Sequence, residues 1–526
     1  MSLEEDHVSA KLGWFGHARR IVLGMALVGL LLAWLAMHSE IFFADGLRYI
    51  AQARAIDRGA AVEALKNAVD HPVYPLAIAT VHRVIGGDSP DSWQNAAQIA
   101  SSIAGVLLLL PFYLICLELL GDRLALPATL MFFAVPLTGH VFADTLSEST
   151  FLLFWLTGLG AALRFLRTGA IIWVPLVVVG SGLAYLSRPE GLLLPVAVFT
   201  TLALSPRWVV RGLGRRGVVV LGSLLVGATV LVGPYVVMKG GLGTKPSVAR
   251  LLGTAPHSPA HAVERQKPLE ADQSPGKTYL LAGKAVGKAL SEAVTLPLLI
   301  LAIPGIYFAR LRDGRSRQWT LLAVISSASL LALVRLHVTG GYCSPRHAML
   351  LSTILIPCGM AGFSHLIHGI ATIAPERRTR PAIIVGWVAV LTVLVIPHVR
   401  EILAPINDGF GGYREAGRWL TQRGSDGSKV VDVTGWSQFY SGRTGYTFAD
   451  LTAAPGDPAS RWVVVREAHL VGPWDYCARL RALVNGLTPV VVFQGEAGPH
   501  RTRVLVYDRA PIQSAHANDR EGTARR

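Results

Sequence analysis

The run IVLGMALVGLLLAWLAM (21–37) and the segment after it, HSEIFFADGLRYIAQARAIDRG (38–59), decide how this chain is read. The run is near the length a helix needs to cross roughly 30 Å of hydrocarbon. Charged sequence follows with no small-residue cleavage site, so the run reads as a retained span and not as a secretory leader. In the second segment Asp45, Arg48, Tyr49 and Gln52 recur at i, i+3, i+4 and i+7, one stripe of a helix, with Leu47, Ile50 and Ala51 as an apolar stripe beside them. Such a helix lies along the membrane interface. An acid at the mouth of a membrane bundle costs free energy unless it is hydrated or paired, which marks Asp45 as a candidate functional group. The competing reading is an ordinary interfacial helix in which Asp45 pairs with Arg48 or caps the first turn.

Only 16% of the 526 residues are charged, where an ordinary soluble domain carries about a quarter, and the mean hydropathy is +0.44. A purely soluble enzyme is excluded. Apolar runs recur near 97–119, 124–141, 149–166, 171–187, 190–206, 217–238, 289–309, 318–336, 347–369 and 382–398. With the first run they predict a mainly α polytopic membrane protein of about eleven transmembrane helices. The net charge of +15 sits largely in short connections: Arg19 and Arg20; Arg123; Arg164 and Arg167; Arg207, Arg211, Arg215 and Arg216; Arg310, Arg312, Arg315 and Arg317; Arg377, Arg378 and Arg380. All fall on one face, which predicts a multi-pass protein of the cytoplasmic (inner) membrane with its N-terminus cytoplasmic and its C-terminus extracytoplasmic. That distribution offers no basic face for nucleic acid.

The expected organisation is a cytoplasmic N-terminus (1–20), a membrane domain (21–399) with external loops 38–96 and 239–288, an extracytoplasmic α/β domain (400–510) and a disordered polar tail (511–526). The α/β expectation rests on YREAGRWLTQRG (413–424) as a helix and on KVVDVTG, RWVVVRE, PVVVFQG and TRVLVYDR as strands. Loop 239–288 is a candidate lid or a plain surface connection. In the first external loop, DHPVYPL (70–76) brings Asp70 and His71 to the same membrane face, with two prolines fixing an extended turn around Tyr74. Asp144 and Glu148, four apart, are expected to share a helix face, where they position an acceptor, bind a divalent ion or cap a helix. The stretch ADQSPGKT (271–278) lacks the first glycine of a phosphate-binding loop and is rejected as one.

The motifs ADGLRYIAQA (44–53), HPVYPLAIA (71–79), ADTLSESTFLLFW (143–155), GLAYLSRPEGLLLP (182–195) and SPRHAMLL (344–351) occur in an order and on a common side that resemble the GT-C membrane glycosyltransferases. The likeness is to bacterial relatives of the dolichyl-phosphate-mannose protein mannosyltransferases and to the aminoarabinose transferases. Gly46 stands where relatives often have a second acid, and His71 where they frequently have lysine. The resemblance implies transfer of a sugar, with inversion, from a polyprenyl-phosphate donor to an acceptor hydroxyl on the extracytoplasmic face; the acceptor class, an envelope glycan, lipid or protein, stays open.

In that chemistry Asp45 is the candidate base. Arg188 and Arg346 are the candidate ligands of the donor phosphate, which leaves as a stable anion and needs positive charge more than a proton; Lys239 is a third choice. Long basic side chains that merely snorkel to headgroups are the alternative for these positions. Arg48, Tyr49, His71, Tyr74, Asp144, Glu148 and Glu190 are the candidate positioning residues. No cofactor is specified, and a divalent metal ion stays an open alternative because no oxygen-ligand cluster is evident. A transporter or flippase of lipid-linked sugars is the competing function, although the repeated halves expected of one are not evident.

Overall fold

The computed structural model describes residues 3–204, 213–241, 275–310, 316–373, 395–424, 426–494 and 502–510, with the single positions 249, 388 and 392. The membrane part comprises α1 (Leu3–Met37), α2 (Asp45–Asp57), α3 (Ala61–Asn67), α4 (Val73–Ile85), α5 (Pro90–Leu120), α6 (Asp122–Phe133), α7 (Pro136–Ala143) and α8 (Glu148–Thr168). It continues with α9 (Val174–Tyr185), α10 (Leu193–Ala203), α11 (Leu213–Lys239), α12 (Pro275–Val294), α13 (Leu296–Arg310), α14 (Ser316–Gly340) and α15 (Met349–Ile373). Among the described residues, six helices are long and apolar enough to cross a membrane, or up to eight if each of two bent pairs is one span. The described residues therefore do not bear out the count of eleven.

The differences have local causes. The span expected at 124–141 is bent by 65° between α6 and α7. Pro136 at the start of α7 has no N–H to continue a helix, and Val135 before it is extended. The span expected at 289–309 is bent by 93° between the end of α12 and α13, across Thr295, whose φ is +69°. The runs at 171–187 and 190–206 form shorter apolar helices, Ile171–Tyr185 and Pro189–Ala203, separated by the Arg188–Pro189 turn. Most of the run at 382–398, most of the expected lid and the tail 511–526 lie outside the described residues. Where α13 meets α15 the backbones touch at two glycines: a Cβ on Gly305 would run into the Cys358 carbonyl, and one on Gly362 into that of Leu301.

Residues after 400 form a mixed five-stranded sheet of β1 (Lys429–Val431), β2 (Gly445–Tyr446), β3 (Ser460–Arg466), β4 (Val491–Gln494) and β5 (Arg503–Asp508), in the order β2-β1-β3-β5-β4. β1 is parallel to β2 and β3, and β5 is antiparallel to β3 and β4. Helices α16 (Gly412–Gln422), α17 (Trp436–Ser441) and α18 (Asp475–Val484) complete it. Strand alternation splits its side chains between two cores. Val463, Val465, Leu505 and Tyr507 pack with Leu480 and Leu483 of α18.

The other face does not close on itself. Trp462, Val464, Val504 and Val506 join Tyr413, Trp436 and Tyr440 in one core with Ile41, Phe42, Tyr49, Ile50, Tyr74, Trp93 and Ala97 of the first external loop. Burial of side chains of this size stabilises by about 1.5–3 kcal/mol each, so loop and sheet hold each other in place. Polar contacts pin the joint: the Tyr440 hydroxyl donates to Gln94 Oε1 at 2.5 Å, Arg414 reaches Asp91 at 2.6 Å, and the Gly411 N–H donates to Glu40 at 3.1 Å.

Candidate active site

Helix α2 begins at Asp45 and buries Tyr49, Ile50, Gln52, Ala53 and Ile56, so of the expected apolar stripe Ile50 is inside, Leu47 is half-buried and Ala51 is exposed. Gly46 explains why the second acid of the resemblance is missing. A Cβ there would come within 2.6 Å of the Phe42 ring and 2.7 Å of Thr145, so the start of α2 seats only glycine without a shift. Asp45 remains accessible with 22% of its side chain exposed, and it does not act as a lone carboxylate.

Asp45 stands within a ladder of alternating charge drawn from five separate segments. Asp70 Oδ2 is 2.9 Å from Arg48 Nε, and Arg48 Nη2 is 3.1 Å from Asp45 Oδ1. Asp45 Oδ2 is 2.7 Å from Arg346 Nη2, and Arg346 Nη1 is 3.9 Å from Glu148 Oε1. The same Glu148 oxygen is 2.7 Å from Arg188 Nη1, and Arg188 Nη2 is 2.9 Å from Glu190. Glu148 opens α8, where the helix dipole favours an acid, and its other oxygen is buried with no hydrogen-bond partner among the described residues. Arg346 lies 4.4 Å above the Phe43 ring, in a turn where the Ser344 N–H donates to His347 Nδ1.

The sequence candidates divide on this basis. Asp45, Arg48, Glu148, Arg188, Glu190 and Arg346 are brought together, and the Tyr49 hydroxyl lies beside them, 3.0 Å from Ser147 Oγ. Burial raises the Tyr49 pKa, which keeps the hydroxyl protonated. Tyr74 is fully buried beneath the ladder and donates to the Ala97 carbonyl. His71 is buried and ringed by Tyr185 at 5.1 Å and Tyr235 at 5.4 Å. Lys239 donates to the Lys66 carbonyl at 3.1 Å and to that of Ala68, tying the end of α11 to the first loop.

Asp144 and Glu148 do not share a helix face as expected. Asp144 is extended at the end of α7 and Glu148 starts α8, so no single helix carries both. Asp144 accepts from the Phe43 and Thr145 N–H groups and from Asn407 Nδ2, and so fastens the chain before the sheet to the loop after α1. Asp70, which the sequence reading leaves without a role, is the buried end of the ladder; the one signal for it was its place directly before the His71–Pro72 turn.

The arrangement suits cationic side chains better than a metal ion. Both Asp45 oxygens and one of Glu148 already face guanidinium groups, and among the described residues no three His, Cys, Asp or Glu side chains group as metal ligands.

Comparison with known proteins agrees with the architecture. Residues 70–236 match the sequence model of the family described as dolichyl-phosphate-mannose-protein mannosyltransferase. ArnT from Cupriavidus metallidurans, in a crystal structure bound to undecaprenyl phosphate, is similar with a TM-score of 0.58 at 14% identity, covering 92% of this chain and 97% of that one. The archaeal oligosaccharyltransferase AglB from Archaeoglobus fulgidus, in complex with an inhibitory peptide and a dolichol-phosphate, is similar with a TM-score of 0.55 at 11% identity, covering 86% of this chain and 70% of that one. The Archaeoglobus fulgidus oligosaccharyltransferase in complex with Zn and sulfate gives a TM-score of 0.56 at 12% identity, covering 91% and 72%. No curated protein sequence matches the chain. These likenesses give the chain the GT-C fold that its motifs resemble.

Proposed function

We propose that the chain is an integral membrane glycosyltransferase that moves a sugar from a polyprenyl-phosphate donor to an acceptor hydroxyl on the extracytoplasmic face, with inversion at the anomeric carbon. The observation that carries this reading is the junction of Asp45 with Arg346, 2.7 Å apart, beside a second arginine, Arg188, that shares Glu148 with Arg346. One accessible carboxylate next to two guanidinium groups at a membrane edge is what a direct displacement at a sugar phosphate needs.

The acceptor oxygen bonds to the anomeric carbon as its proton passes to Asp45 Oδ2. The bond from that carbon to the phosphate oxygen breaks with its electron pair, and the polyprenyl phosphate leaves as a monoester. Arg346 and Arg188 stabilise the growing charge on the phosphate. Glu148 holds the two guanidinium groups in register, and its unpartnered oxygen is an acceptor for a sugar hydroxyl. Arg48 and Tyr49 fix the first turn of α2, and Asp144, His71, Tyr74 and Lys239 hold the loops that present it.

The lipid phosphates in the ArnT and AglB structures support a lipid-linked donor. The Zn ion in the Archaeoglobus structure has no counterpart in this reading, since the carboxylate oxygens it would need here are paired with arginine. The arginine-rich turns Arg164 and Arg167, which pair with Glu118 at the far end of α8, support a cytoplasmic face opposite the ladder.

The test is transfer from a panel of polyprenyl-phosphate sugars by the purified protein in lipid, following release of polyprenyl phosphate, with Asp45→Asn alongside. Release that depends on Asp45 is expected. Labelled lipid crossing the bilayer with no donor consumed would replace the reading with a flippase.

A further inference from the structure

We infer that Asp45 and the donor phosphate compete for Arg346, so that the base is masked by an ion pair until the donor arrives and unmasks it. This rests on the proposed transfer reaction and concerns how its site is switched on.

Every arginine of the ladder is already engaged: Arg48 by Asp45 and Asp70, Arg346 by Asp45 and Glu148, Arg188 by Glu148 and Glu190. Lys239 is held by backbone carbonyls. Four acids and three arginines leave the ladder without excess positive charge, so an incoming phosphate gains little attraction unless a carboxylate gives way. Arg346 is the place where that exchange is easiest. Its contact to Glu148 is long at 3.9 Å, and its Nε is buried with no hydrogen-bond acceptor among the described residues, so the guanidinium has a donor to spare. The Phe43 face beneath it keeps the guanidinium plane in position while its partner changes.

Asp45 is also the more replaceable partner. It is the most exposed acid of the pair that Arg346 touches, 22% against 4% for Glu148, so water can take over its solvation when the pair opens. A phosphodiester oxygen that takes the Arg346 fork therefore frees Asp45 Oδ2 at the moment the sugar is seated. Oδ1 stays with Arg48, which keeps the carboxylate aimed. In the unloaded protein the same pair suppresses general-base activity.

The experiment measures the affinity of undecaprenyl phosphate for the full chain in nanodiscs, for the wild type, Asp45→Asn and Asp70→Asn, with thermal unfolding as a check on folding. Competition predicts that Asp45→Asn, which loses transfer, binds the lipid phosphate more tightly by about threefold or more, since removing the competitor's charge releases Arg346. Asp70→Asn, which pairs with Arg48 and not with Arg346 among the described residues, is expected to stay within about twofold of wild type. Affinity of Asp45→Asn that is unchanged or weaker overturns the exchange, as does equal tightening by both variants, which is a general charge effect. Absence of lipid-phosphate binding by the folded wild type removes the proposed function itself. Wild-type binding thus tests the proposed function, and the ratio of the two variants tests the exchange.

Discussion

Asp45 Oδ2 and Arg346 Nη2 lie 2.7 Å apart, although one belongs to the first external loop and the other to the turn that leads into α15. The pair is the seam at which the two ends of the membrane domain meet. Replacing Asp45 with the isosteric asparagine keeps the shape of α2 and removes the group that accepts the proton. Transfer should fall by about 10²–10⁴-fold, the usual range for a general base, with the unfolding temperature nearly unchanged. Polyprenyl phosphate release and a thermal scan on the same preparation check both halves.

Arg188 is 14% and Glu148 4% exposed at the side chain, so the pair is desolvated on both sides. Arg188→Met leaves the Glu148 charge buried with only the distant Arg346 for company, and a loss of stability of about 3–5 kcal/mol is expected. The double variant Arg188→Met with Glu148→Met removes the stranded charge and should recover most of that stability while transfer stays lost. Chemical unfolding in mild detergent measures the first, and donor consumption the second.

Burial raises the Asp144 carboxyl to about 6, outweighing the hydrogen bonds it accepts from Phe43, Thr145 and Asn407. The folded state therefore favours the protonated form. That contribution is fully present below the unfolded value near ~4 and is lost as pH rises through about 6, on the order of 3 kcal/mol in all. Relative to Asp144→Asn, the wild type should lose unfolding temperature between pH 4 and pH 7 and then level off. A parallel course of the two curves would contradict the assignment.

Gly46→Asp supplies the second acid that the family resemblance leads one to expect and should not create a metal site. The new Cβ meets Phe42 and Thr145 inside van der Waals contact, so α2 must move away from Arg346. Loss of transfer that added divalent metal does not rescue is the expected result, read alongside a lowered unfolding temperature.

Much of this was legible in the chain because two periodicities are strong. The apolar runs announced a membrane bundle, and the i, i+3, i+4 stripe announced the helix of Asp45 and Arg48, whose side chains do pair. The bends were not legible. An apolar run has the same composition whether straight or broken, and only Pro136 hinted at one break, while Thr295 with a positive φ gave no hint of the other. The four-residue spacing of Asp144 and Glu148 misled for the same reason: it implies one face only if one helix spans both. The ladder beyond Arg48 joins residues far apart in sequence, and which arginine meets which acid is set by how α8, the Arg188 turn and the start of α15 pack. The resemblance named several of its members without their pairing.

The core that Ile41, Phe42 and Ile50 share with Trp436, Trp462 and Val506 ties the order of synthesis to the onset of activity. A nascent chain makes α2 almost first and can lay it on α4 and α5 at once, yet the sheet side chains that complete the same core, Val504 and Val506 among them, are made last. Until the final strands arrive, the core around the loop that carries Asp45 stays incomplete. A protein cut short anywhere before β5 leaves that core open, and the loop that carries Asp45 lacks part of what holds it in place.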